Sequence, residues 1–121
     1  MIDLPPQQIE CIALAVEHET TGKLKQGAIE VAQVVINRSN NPKYPNTPCE
    51  VVFQKKQFTN IKRKPISNAS WQATYKALES YSLGTANKTI IAFHSLQSKP
   101  SSWKNLQFVL KIGQHSFYKH K

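Results

Sequence analysis

The chain predicts a mainly helical α+β fold in a single domain, on three observations. Apolar residues recur at helical spacing in three windows between residues 7 and 82. A short β-branched run, Thr89 to Phe93, follows them. No internal repeat and no linker long enough to divide the chain interrupts its 121 residues, a length that supports one core without obligatory staples.

The elements follow in order. Pro5 and Pro6 precede a helix over 7 to 19, because proline fits a first helical turn. Residues 22 to 26 form a short loop. A second helix over 27 to 38 is apolar almost all round, the pattern of a central helix packed on several sides, although its β-branched run also reads as a strand. Residues 39 to 49 are rich in turn formers and form an extended loop. Val51, Val52 and Phe53 make a short apolar turn leading into a basic segment. A third helix over 68 to 82 carries Trp71, Tyr75, Leu78 and Tyr81. After Gly84 comes the strand-like run 89 to 93, then a last short helix over 103 to 111. The aromatic ending, Ile112 to Tyr118, docks back onto the core.

Composition limits the functional classes. At 40% hydrophobic residues with periodic segments the chain is not of disordered type, and no apolar run reaches bilayer-spanning length. The first residues, Met1 to Pro6, lack a positive region and an apolar stretch, so no export signal is expected. Action outside the cytoplasm then requires a removed leader or release through a membrane pore, as in phage lysis. The formal net charge of +9, densest at Lys55, Lys56, Lys62, Arg63 and Lys64, favours polyanionic surroundings such as nucleic acid, anionic wall polymers or lipopolysaccharide. A solvated, solubilising loop accounts for the same block. Cys11 and Cys49 have no metal-type spacing. Cys11 is expected as a buried free thiol, with a disulfide open should the protein mature in an oxidising place.

Only seven acids are available for acid chemistry. Glu19 stands at the exit of the first helix, on the edge of the stripe Ile9, Ile12, Ala13 and Val16, and is followed by the small-residue turn Thr20-Thr21-Gly22. A half-buried carboxyl loses hydration, its pKa rises, and it becomes fit to act as a general acid. An acid turning into solvent at the last turn is the alternative. Glu17 points elsewhere, beside Glu10. On the second helix Glu30, Gln33 and Asn37 share one polar line that faces either water or a cleft.

Three stretches, Cys11 to Glu19 with Gly22, Gly27 to Arg38, and Tyr44 to Gln54 with Gln57 and Phe58, resemble the cell-wall hydrolases of the spore-cortex-lytic type. The pieces Ala92 to His94, Pro100 to Trp103 and Ile112 to Tyr118 fit the same pattern, so the resemblance runs from about residue 9 to 118. It implies a lysozyme-like lytic transglycosylase fold with a catalytic cleft. It also implies cleavage of the β-1,4 bond between N-acetylmuramic acid and N-acetylglucosamine in peptidoglycan, with Glu19 matching the catalytic glutamate. The sequence departs from the family pattern where Thr20, Thr21 and Lys23 replace an Ala-Arg-Gly-Glu continuation, and at Ala28 and Glu30.

A two-carboxylate hydrolase needs a second acid at about 5 to 9.5 Å, and Glu30 is the contender. One-acid chemistry, in which Glu19 protonates the leaving oxygen and takes the proton of the muramyl 6-hydroxyl, suits the shortage of acids better. Expected sugar-binding residues are Gln33, Asn37, Phe58, Thr59, His94, Trp103 and Tyr118. Core packing serves Trp103 and Phe58 equally well, as tying the helix end to the loop does Asn37 and Arg38. No cofactor and no metal is expected. The expected partners are peptidoglycan strands and anionic envelope polymers, met by a monomer with no specific nucleic acid. A catalytically weakened wall-binding domain and a nucleic-acid-binding module are the competing classes. Against the latter, the aromatics do not alternate with the basic residues as stacking platforms do.

Overall fold

The computed structural model describes residues 4–20, 26–54, 64–95 and 103–121. Four helices, α1 (Pro6–Thr20), α2 (Ala28–Ser39), α3 (Pro48–Phe53) and α4 (Asn68–Leu83), precede three strands, β1 (Ala92–Ser95), β2 (Leu106–Ile112) and β3 (His115–His120). Phe58 and Thr59 lie outside the described residues.

Helix starts follow the local chemistry. The Thr47 hydroxyl caps α3, accepting from the Glu50 amide at 3.3 Å and donating to the Glu50 carboxylate at 2.9 Å, with Pro48 in the first turn. Ser67 caps α4 by accepting from the Ser70 amide. Gly27, at φ 95°, precedes α2 and lets the chain enter it from a left-handed turn. The segment read as helix or strand is thus a helix, and it is central: every side chain from Val31 to Arg38 is buried. The core it anchors draws Ile12, Ala15 and Val16 from α1, Val51 and Val52 from α3, Ala73 and Ala77 from α4, and Ile90 and Phe117 from the C-terminal third.

The C-terminal third corrects two expectations. Residues 103 to 111 hold no helix. Leu106 to Ile112 form β2, paired antiparallel with β3 and joined to it through Gly113 and Gln114. A short apolar run does not declare its period, and cross-strand pairing decides it. The ending docks onto the core as expected, as the middle strand of the order β1-β3-β2. The run at 89 to 93 is displaced toward the C-terminus: Ile90 and Ile91 are buried, and β1 begins at Ala92. Cys11 is likewise no free thiol. It forms a disulfide with Cys49 across a Cα separation of 5.1 Å, fastening α1 to the start of α3 beside a hydrogen bond from the Cys49 amide to the Gln8 side chain.

Candidate functional site

Glu19 sits in the last turn of α1, and its side chain retains 24% exposure. Partial burial raises its pKa, while His18, whose Nε2 lies 3.9 Å from Oε2, pulls it back. A carboxyl so placed holds its proton at higher pH than a solvated one, yet stays reachable from outside. Thr20, a departure from the pattern the sequence resembles, is buried and turns its hydroxyl back onto the Val16 carbonyl at 2.7 Å. The Thr20 hydroxyl is thus satisfied within α1, while Thr21 and Lys23 lie outside the described residues.

Glu17, two residues earlier, has a different environment. Only 9% exposed, its Oε1 accepts from the Ser67 amide and the Ser70 hydroxyl, both at 2.9 Å. Burial alone would raise its pKa, but the Ser67 and Ser70 hydrogen bonds outweigh it, Lys64 adds its positive charge, and the net shift is downward. Glu17 is thus an ionised brace between α1 and the start of α4. Nothing in the sequence pattern signals this, because its partners stand about fifty positions away.

Glu30 lies half-buried in the first turn of α2, where a negative charge meets the positive pole of the helix. Gln33 and Asn37 do not offer the open polar line that the spacing allows. Gln33 donates to the Ser80 hydroxyl at 3.1 Å. The Asn37 amide donates to the carbonyls of Asn87 and Ile90 at 2.9 and 2.7 Å, and its oxygen accepts from the Tyr81 hydroxyl. Both side chains are buried and tie α2 to α4 and to the connection before β1. Arg38 does the same: its Nε donates to the Ile91 carbonyl at 2.6 Å and its guanidinium lies 5.2 Å from the centre of the Tyr44 ring. Burial lowers its pKa and raises that of Tyr81.

Three expected sugar-binding residues are brought together. His94 Nε2 and the Tyr118 hydroxyl lie 2.8 Å apart, and the Trp103 ring stands 5.9 Å from His94 and 5.2 Å from Tyr118 between centroids. On the sheet, His94 pairs with Ser116 while Phe93 and Phe117 pair on the alternate, core-facing set. The cluster therefore occupies the opposite face. Phe108, 53% exposed and 5.8 Å from the Tyr118 ring, extends it, and sequence reading missed it because β2 was read as helix. His94 Nδ1 is buried with no hydrogen-bond partner among the described residues. Tyr118 is buried in a small apolar cluster with Ile91 and Ala92, and Trp103 packs against it, so core packing draws on these rings as well as any sugar contact. Among the described residues, no three His, Cys, Asp or Glu side chains are arranged to hold a metal.

The Cell Wall Hydrolase family matches residues 22–118. The chain is 27% identical over 123 residues to a spore cortex-lytic enzyme of Bacillus subtilis, covering 90% of this chain and 36% of that protein. It is 29% identical over 125 residues to a spore cortex-lytic enzyme of Bacillus cereus, covering 92% and 44%. It thus spans less than half the length of these curated relatives. Among solved structures, the catalytic domain of the Bacillus cereus SleB protein superposes with a TM-score of 0.78 at 23% identity, covering 98% of this chain and 94% of that one. The catalytic domain of the germination-specific lytic transglycosylase SleB from Bacillus anthracis gives 0.77 at 24%, covering 98% and 99%. These likenesses establish a lysozyme-like fold. No helix among the described residues is long and apolar enough to cross a membrane.

Proposed function

Because this chain belongs to the cell wall hydrolase family, we propose that it cuts the N-acetylmuramic acid to N-acetylglucosamine β-1,4 bond of peptidoglycan as a lytic transglycosylase with Glu19 as its one acid/base. The observation that carries this reading is the half-buried carboxyl at the end of α1 with its pKa raised by lost hydration. Protonated Glu19 gives its proton to the bridging oxygen, and the C1–O bond breaks with oxocarbenium character at the muramyl ring. The muramyl 6-hydroxyl then attacks C1 while the Glu19 carboxylate takes its proton. A 1,6-anhydro ring forms, no water is consumed, and the enzyme returns to its starting protonation state.

His94, Trp103 and Tyr118, with Phe108 beside them, supply the sugar platform in this account, and Phe58 and Thr59 remain its proposed loop contacts. The names of the similar proteins, spore cortex-lytic enzyme and lytic transglycosylase, support the substrate class. Residues 1–121 act as one catalytic domain and as a monomer on the wall, and release by phage lysis is one route to it.

Digestion of purified peptidoglycan followed by mass spectrometry of the products tests the reading. Anhydromuramyl ends, lighter than reducing ends by one water and lost in Glu19→Gln, are expected. Reducing ends instead would mean hydrolysis with a second acid, for which Glu30 is the first to substitute. A wild-type protein that binds peptidoglycan and releases no product would be a wall-binding relic.

A further inference from the structure

A groove at the C-terminal end of α2 plays no part in the chemistry assigned to Glu19, and no residue of α1 lines it. It encloses about 570 Å³. Its polar walls come from three separate segments: Asn40 and Asn41 just after α2, Lys88 and Thr89 in the connection before β1, and Lys119 and His120 at the end of β3. No carboxylate is among its described lining residues, and neither lysine is ion-paired among the described residues. Lys88 and Lys119 both line the groove, and concave walls concentrate the positive potential they set up there.

One feature of the groove opposes an anion, since the carbonyl end of α2 borders it with its negative pole. That pole is blunted: the carbonyls of Ile36, Asn37 and Arg38 accept from the Asn40 and Asn41 amides, and Arg38 lies in the same turn.

We propose that this groove is a second binding site, specific for a phosphate group carried on a sugar or polyol, through which the protein holds a phosphate-bearing polymer of the cell envelope. Phosphate suits the walls better than carboxylate. The Thr89 hydroxyl already donates to Asn87 and His120 pairs with Tyr44, so the donors on offer are the Asn40 and Asn41 side chains, Lys88 and Lys119, on three segments. That spread suits several oxygens pointing in different directions, whereas a carboxylate presents two in one plane. The volume leaves room for the attached sugar or polyol, against which Ile91 and Tyr81 provide less polar wall.

Isothermal titration of the whole chain with a glycerol-phosphate oligomer, with glucosamine 1-phosphate and with acetate tests the site. Binding of at least one phosphate ester about tenfold tighter than acetate is expected, and its loss by about tenfold or more in Lys88→Gln/Lys119→Gln. A preference for the diester assigns a teichoic-type polymer as the source, and a preference for the monoester assigns the phosphates of lipopolysaccharide. Lys88→Gln alone, at an exposed position, gives a smaller loss in the same direction and guards against a folding defect in the pair. The charge-matched control Lys76→Gln/Lys104→Gln, at exposed positions outside the groove, changes affinity less than about twofold. Equal losses in both pairs, or acetate binding as tightly as both esters, would overturn the site and leave only diffuse attraction by net charge. Binding retained in Glu19→Gln keeps this result independent of the catalytic reading.

Discussion

Glu17 and Glu19 stand two positions apart on one helix, and their pKa values move in opposite directions, because one is held by donors and the other is only deprived of water. Each shift has a stability consequence of defined sign. The folded Glu17 binds its proton less readily than the unfolded chain does, so its contribution is present above the ordinary glutamate range and is lost as pH falls through the lower, folded value. Glu17→Ala should therefore cost about 1.5–3 kcal/mol at neutral pH, the worth of hydrogen bonds to a buried charge. In acid the gap to wild type should narrow, and thermal melts at pH 7 and pH 3 measure both. Glu19 works the other way. Its folded state holds the proton more tightly, so ionising it costs stability as pH rises through the window above the ordinary value. Glu19→Gln should accordingly melt no lower than wild type at pH 7, with any gain vanishing in acid. A clear loss of melting temperature at pH 7 would mean that Glu19 is a structural acid. For turnover, wild-type kcat/KM should fall as pH rises past the raised Glu19 pKa, since the reaction begins from the protonated form.

The elements divide between those the sequence announces and those that distant partners decide. The helices α1 and α4 are legible because each runs long enough to show its period between punctuating residues such as Pro6 and Gly84, whereas α2, though Gly27 marks its start, carries a β-branched run that reads as helix and strand alike until packing decides it. β2 is not legible: a seven-residue run fits helix and strand alike until β3 lies beside it. The same distance hides the roles of Gln33 and Asn37, whose partners are Ser80, Asn87 and Ile90, and the pairing of Cys11 with Cys49. Of the candidate site, Glu19 at a helix end and His94, Trp103 and Tyr118 as single residues are named from sequence, with their roles a proposal. That the three stand together follows from strand pairing, and Phe108 is hidden by the misread strand. Two expectations belong to this scale. A Cβ at Gly27 would meet His115 Nδ1 at 3.3 Å and the Ile112 carbonyl at 3.4 Å, on top of a positive φ. Gly27→Ala should therefore cost about 1–3 kcal/mol by separating the start of α2 from the β2–β3 hairpin, as a denaturant titration would read. Reduction of the Cys11–Cys49 bond, which closes a separation of 38 residues, should cost about 2–4 kcal/mol. Melts with and without reductant check it, and an unchanged melting temperature would contradict it.

On the scale of the whole molecule, sixteen basic residues against seven acids favour polyanionic surroundings, and salt tests the proposal that attraction to an anionic wall precedes docking on the sheet. Raising ionic strength from about 0.05 to 0.5 M shrinks the screening length severalfold, so co-sedimentation with intact walls should weaken markedly. The proposed contacts of sugar rings with the Trp103 and Tyr118 cluster would not be ionic and should persist. Trp103→Ala should thus raise KM for glycan fragments about tenfold with a smaller effect on kcat, and steady-state kinetics on soluble fragments separates the two constants. The central claim is that Glu19 alone performs the proton transfers, and it is tested most directly by the rate of soluble glycan release from purified peptidoglycan by wild type, Glu19→Gln and Glu30→Gln. Loss of about 10²–10⁴-fold in Glu19→Gln, with Glu30→Gln within about threefold of wild type, is the predicted result. Retained turnover in Glu19→Gln, or an equal collapse in Glu30→Gln, would contradict it.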